Sequence, residues 1–100
     1  EIMREFPFTY ATADAEGDSQ IIQGVVDCLF LEEDGKWVLL DYKTDRVQHL
    51  LSDEALLKKE MSNRYAVQLS LYAQAIESIM QVEIKEKVLY LFDANKTISL

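Results

Sequence analysis

A carboxylate stands inside an apolar run, and a second apolar run ends in another. The first is Asp27, within Gln20–Glu32 (QIIQGVVDCLFLE), and the second is Asp41, within Lys36–Thr44 (KWVLLDYKT), followed at once by Tyr42 and Lys43. A charge inside a strand-like stretch is costly unless something pairs with it. Two acids that share a divalent cation, with a lysine beside them, are the parts that phosphodiester hydrolysis needs. Mg2+ or Mn2+ takes oxygen ligands, keeps several waters and binds through one or two carboxylates plus substrate phosphate. Asp27 and Asp41 are the candidate metal ligands, and the backbone carbonyl of Tyr42 is a candidate third. Lys43 is the candidate catalytic partner, orienting the attacking water or facing the phosphate as a point charge.

The acid-x-lysine spacing alone proves little. It recurs at Asp34-Gly35-Lys36 and at Glu83-Ile84-Lys85, where a turn and a solvated strand entrance account for it. What sets Asp41 and Lys43 apart is their place at the end of Trp37-Val38-Leu39-Leu40. The competing account is an Asp41–Lys43 ion pair at a strand end, with Asp27 satisfied by a backbone donor. Gln68 and Tyr72, four apart, share one side of a helical stretch. Tyr72 alone reads as a packing residue, whereas Gln68 among Tyr65, Val67 and Leu69 needs a polar partner. His49, the single histidine, reads as a surface residue, and Arg46, Lys58, Lys59 and Arg64 as a solvated basic stretch or a contact to a nucleic-acid backbone.

The elements must bring these residues together. Arg4–Thr12 reads as a strand, with Pro7 placing it near an edge. Ala13–Ser19 is a loop. Gln20–Glu32 and Lys36–Thr44 read as hairpin strands around Glu33-Asp34-Gly35, and both are apolar on both faces, which implies cover on both sides of the sheet or a helix plus further cover. Hairpin register decides whether a site exists. A two-residue Asp34-Gly35 loop pairs Glu33 with Lys36 and turns Asp41 away from Asp27. A three-residue loop with Gly35 left-handed pairs Glu32 with Lys36 and sets Asp27 opposite Asp41, with Lys43 on the same face. Ser52-Asp53 caps a short helix through Leu56, Leu57 and Met61; Asn63 caps a longer one ending near Met80, with Tyr65, Leu69, Tyr72, Ile76 and Ile79 along its packing face. Lys87–Asp93 is a further strand, and Thr97–Leu100 begins another. The order makes an α+β domain.

Composition bounds the rest. One hundred residues, 49% hydrophobic, suffice for a single domain over 1–100. A formal net charge of −8 argues against a purely electrostatic nucleic-acid binder, so any DNA contact is local. The single cysteine, Cys28, excludes an internal disulfide and reads as a buried thiol in a reducing compartment. No apolar stretch is long enough for a membrane helix and no secretory signal opens the chain, so a soluble, cytoplasmic protein is expected.

Gly24-Val25-Val26-Asp27, Leu39-Leu40-Asp41-Tyr42-Lys43-Thr44 and Gln68-Leu69-Ser70-Leu71-Tyr72-Ala73, in that order, resemble the PD-(D/E)XK nuclease superfamily in its RecB-like branch. With Arg4–Phe8 upstream and Val88–Phe92 downstream, the pattern is most similar to the carboxy-terminal nuclease domains of bacterial helicase-nucleases of the AddA type, over nearly the whole chain. The resemblance implies a restriction-endonuclease-like mixed sheet and a Mg2+-dependent DNA exonuclease acting in double-strand-break processing and recombinational repair. It implies Asp27 and Asp41 as metal ligands, Lys43 as catalytic, and Gln68 with Tyr72 beside the active site and the DNA. It also implies, in a parent protein, an ATP-driven helicase motor and a second nuclease subunit. This chain has no phosphate-binding Gly-rich loop of the P-loop type. The family's amino-terminal helix, which often adds a histidine or glutamate to the site, is expected to be missing, and Glu5 is assigned no catalytic role. The alternatives are a stand-alone RecB-like exonuclease and an inactive nuclease-fold module that binds a partner subunit.

Overall fold

The structure is a computed structural model that describes residues 1–13 and 15–100. Its sheet has five strands in sequential order: β1 (Ile2–Ala13), β2 (Ser19–Leu31), β3 (Trp37–Lys43), β4 (Ile84–Leu91) and β5 (Lys96–Ser99). Only β3 and β4 run parallel, because the single long helix α1 (Glu54–Met80) lies between them in the chain; the other neighbours are antiparallel. The fold is therefore the mixed sheet with one packed helix that the element order predicts. Of the loop expected over residues 13–19, residue 14 lies outside the described residues, Ala13 closes β1 and Ser19 opens β2.

The β2–β3 turn takes the register that a site requires. Glu32 N–H donates to the Lys36 carbonyl at 2.9 Å, Gly35 N–H donates to the Glu32 carbonyl at 3.0 Å, and Gly35 sits at φ +81°. Glu33-Asp34-Gly35 is thus a three-residue loop, with glycine where a side chain would strain the left-handed backbone. Leu31 pairs with Trp37, Phe30 with Val38, Leu29 with Leu39 and Cys28 with Leu40. One further rung places Asp27 opposite Asp41.

The sheet divides at that rung. Pairing of β2 with β3 stops at Cys28 and Leu40, while β2 stays with β1 along its length. Arg4 pairs with Cys28 and Phe6 with Val26, which leaves Glu5, at φ +51°, across from Asp27. Both strands change face here. Met3 and Leu29 face the core on one side of the rung; Phe6, Phe8 and Tyr10 with Ile22 and Val26 face it on the other, a spacing of three where a regular strand has two. Glu5 itself is exposed.

Asp53 caps α1, its carboxylate accepting from the Leu56 N–H at 3.0 Å, and Gln81 ends the helix at φ +56°. The expected break at Asn63 does not occur. No glycine or proline lies between Glu54 and Met80, and Leu57 and Met61 are buried in the same core as Leu69, Ala73 and Ile76, so packing carries the helix through Ser62-Asn63. Ile79, expected on the packing face, is exposed. The helix covers one face of the sheet, over Leu29, Leu39, Leu89 and Leu91. On the other face Cys28 and Val38 are buried, while Tyr42, Tyr90 and Phe92 pack against one another with Tyr42 and Phe92 left exposed. A short 3-10 turn, Gln48–Leu50, is held by Asp93, which accepts from the Val47 N–H at 2.7 Å and through its carbonyl from Gln48 Nε2 at 2.6 Å. No helix among the described residues is long and apolar enough to cross a membrane.

Candidate active site

Asp41 is the one buried charged residue of the described chain, 6% exposed, on the helix-covered face of β3. Asp27 reaches it from β2. Where the ladder ends, the Tyr42 N–H has no β2 carbonyl to meet, and Asp27 Oδ2 accepts it at 2.8 Å. This brings the two carboxyl groups within hydrogen-bonding reach of each other. Lys43 Nζ stands 2.8 Å from the buried Asp41 Oδ2 and forms an ion pair with it. Burial, then the neighbouring Asp27 carboxyl, push the Asp41 carboxyl up from 3.8 to about 6, against the opposing pull of Lys43.

Helix α1 completes the group. Gln68 Oε1 accepts from Lys43 Nζ at 3.4 Å, and Gln68 Nε2 donates to the Tyr72 hydroxyl at 3.4 Å. Tyr72 packs edge-on against Phe8, with ring centroids 5.0 Å apart. Its phenol lies against Gly24: a Cβ built there would meet the Tyr72 oxygen at 2.6 Å. So Asp27, Asp41, Lys43, Gln68 and Tyr72 are all brought together. The Tyr42 side chain turns to the opposite face, 5.5 Å from the Phe92 ring, while its backbone stays tied to Asp27.

Three contributors carry no sequence mark as site residues. Gly24 is needed for room, and only the helix facing it shows why. Tyr65 lies three residues before Gln68 on α1, and its ring centroid is 4.2 Å from Lys43 Nζ. Asp45, two residues beyond Lys43, accepts from the Tyr65 hydroxyl at 2.7 and 2.8 Å. His49 is exposed, and Arg64 is tied to Asp45 at 2.9 Å and Glu60 at 3.8 Å. The two other acid-x-lysine matches pair with each other across the surface: Lys85 with Asp34 at 2.9 Å, Lys36 with Glu83 at 3.4 Å. A hollow of about 230 Å³ beside β5, lined by Glu54, Lys58, Lys96 and Thr97 among others, contains none of the site residues.

Both contacts of the competing account are present, the Asp41–Lys43 pair and the backbone donor to Asp27. They do not satisfy the site. A sufficient ion pair would hold Asp41 below its ordinary value, and instead burial and the neighbouring Asp27 carboxyl raise it. Two converging carboxylates, one of them buried, fit a hard divalent cation, which would favour the ionised form of both acids. Among the described residues no third His, Cys, Asp or Glu joins them.

The model of the PD-(D/E)XK nuclease superfamily matches residues 1–98. The chain belongs to the PD-(D/E)XK nuclease superfamily. Nucleases of this superfamily generally use divalent metals, in keeping with the Asp27–Asp41 pair. Among curated relatives, this PD-(D/E)XK chain is 56% identical over 98 residues to the A subunit of the ATP-dependent helicase/nuclease of Lysinibacillus sphaericus, covering 98% of the chain. It is 43% identical over 108 residues to the protein of that name from Heliobacterium modesticaldum, and 50% identical over 96 residues to that from Bacillus pumilus, covering 100% and 91% of the chain. It spans only 7 to 8% of the length of these relatives.

Proposed function

We propose that this chain is the metal-dependent DNA exonuclease domain of an AddA-type helicase-nuclease, cutting phosphodiester bonds during double-strand-break processing and recombinational repair in the cytoplasm. The carrying observation is the convergence of Asp27 and Asp41 beside Lys43 where β2 leaves β3. Asp27 and Asp41, with the Tyr42 carbonyl, would hold the ion, with Mg2+ or Mn2+ as the chemical match. A divalent ion bound there supplies Lewis acidity toward the phosphoryl oxygen and a bound water of lowered pKa. Lys43 holds a positive charge toward the scissile phosphate and the incoming water, and Gln68 keeps that ammonium in place. Tyr72, seated on Gly24, steadies Gln68 and faces the DNA strand. In the parent protein an ATP-driven helicase motor feeds DNA to this site and a second nuclease subunit completes the machine. An acidic chain of net charge −8 meets DNA through this local site rather than a broad basic surface.

The test is degradation of end-labelled linear DNA with Mg2+ or Mn2+. Cleavage is expected, lost with chelator and reduced at least about 1,000-fold by Asp41→Ala or Lys43→Ala. Unimpaired metal-dependent cutting by folded Asp41→Ala overturns the proposal. A second reading, an inactive nuclease-fold module that docks on a partner subunit, is favoured by Lys43 and the Tyr42 N–H already occupying the carboxylates. Manganese calorimetry separates the two: heat of binding lost in Asp27→Ala and Asp41→Ala supports the nuclease, and no such binding supports the module.

A further inference from the structure

We propose that Asp45 and Tyr65 form a positioning pair that holds the Lys43 ammonium between Asp41 and Gln68. The inference rests on the nuclease reading for its effect on cleavage, not for the placement itself. A lysine ammonium has three N–H donors on a flexible four-carbon stem, so one strong neighbour does not fix it. Lys43 Nζ has three neighbours of different kinds: the Asp41 carboxylate at 2.8 Å, the Gln68 amide oxygen at 3.4 Å and the Tyr65 ring centroid at 4.2 Å. Lys43 Nζ lies over the ring, which attracts the cation with its electron-rich face.

The ring is itself anchored. Its hydroxyl has one proton to donate, and both Asp45 oxygens lie within reach of it, at 2.7 and 2.8 Å. Arg64 Nη1 donates to Asp45 Oδ2 at 2.9 Å from the exposed side. Burial pushes Asp45 up, but the bonds from Tyr65 and Arg64 outweigh it and hold the carboxyl below its ordinary value. Burial and then Asp45 raise the Tyr65 phenol to about 12. Through the neutral range the pair therefore keeps one arrangement, neutral phenol donating to charged carboxylate. A phenol that donates to an anion carries more electron density in its ring, which strengthens the hold on Lys43. The placement follows from the site's own elements: Asp45 lies two residues beyond Lys43, and Tyr65 one helical turn before Gln68.

The experiment combines NMR of the Lys43 side chain with metal-dependent cleavage of linear DNA. In the wild-type chain the Lys43 ε-methylene protons are expected upfield of free lysine, shifted by the ring current of Tyr65. Tyr65→Leu abolishes that shift and lowers kcat about tenfold with KM changed less than about twofold; Tyr65→Phe keeps the shift and most of kcat. Asp45→Asn is made in the wild-type and in the Tyr65→Phe chain. It weakens the shift in the first and does nothing further in the second, the coupling expected if Asp45 acts through the phenol. Circular dichroism checks folding, and should Tyr65→Leu not fold, the Asp45→Asn comparison decides. An unshifted Lys43 in the wild type, a shift surviving Tyr65→Leu, or equal effects of Asp45→Asn in both chains overturns the pairing. A shifted Lys43 in a chain that binds manganese at neither aspartate overturns the nuclease reading and leaves the positioning standing.

Discussion

Asp41 carries opposing demands. Burial and a second carboxyl favour its neutral form, whereas a cation and a lysine favour its charged form. The pH dependence of the metal-free protein follows. With the folded group at about 6 and the free carboxyl at 3.8, the folded state holds a proton through that window that the unfolded state has released. Stability contributed by neutral Asp41 is therefore present below about 3.8 and lost as pH rises through about 6. Denaturation midpoints of wild type and Asp41→Asn in chelator, from pH 4 to 7.5, isolate this group from the other acids. The asparagine variant is expected to gain on wild type as pH rises; parallel curves would refute it. The attraction to Lys43 exists only for ionised Asp41 and is already contained in the raised value, so it does not change the sign.

At the scale of elements, the β2–β3 hairpin determines whether the acids meet. Gly35 at φ +81° keeps the loop at three residues, and Gly35→Val is expected to cost about 1 to 2 kcal/mol, read as a lower urea midpoint. An unchanged midpoint would show that the loop tolerates a branched side chain. The hairpin was legible in the sequence because turn chemistry is local, but with two registers open; the hydrogen bonds around Gly35 select the three-residue loop, and two-residue periodicity carries it to Asp27 and Asp41. Helix α1 was half legible. Its face of Leu69 and Ile76 follows from spacing, but Asn63 looks like a cap, and only burial of Leu57 and Met61 on the same core shows that the helix continues. Gln68 stood out because a polar group in an apolar stripe needs a partner. Tyr65 did not, since an aromatic at helical spacing looks the same whether it packs on leucine or on an ammonium. Asp45 could be placed only with Tyr65 in view. The rung where β1 and β2 change face was hidden too, because a three-residue spacing in each strand shows only in the pairing.

At the scale of the whole molecule, folding buries one carboxyl, Asp41, at the edge of an otherwise apolar core and sets a second, half-buried one beside it. A ligand that binds the folded state alone stabilises it by mass action, about 2.7 kcal/mol at one hundred times its Kd. Manganese at that excess is therefore expected to raise the melting temperature by roughly 10 °C for a domain of this size. Asp41→Ala should remove the increase, and the same increase in that variant would place the ion elsewhere. The net charge of −8 adds an ionic-strength dependence: salt screens self-repulsion and should raise stability modestly without ion-specific saturation, which separates it from site binding.

The close approach of Tyr72 to Gly24 has a meaning for descent as well as for packing. The two positions lie on different elements, yet they share one volume, and a methyl group at 24 would occupy the space of the phenol oxygen. A lineage that acquires any larger residue at 24 must shrink or displace residue 72, and one that gives up the tyrosine keeps only the milder limit set by the Phe8 ring, 3.1 Å from the same point. The two positions are bound to change together.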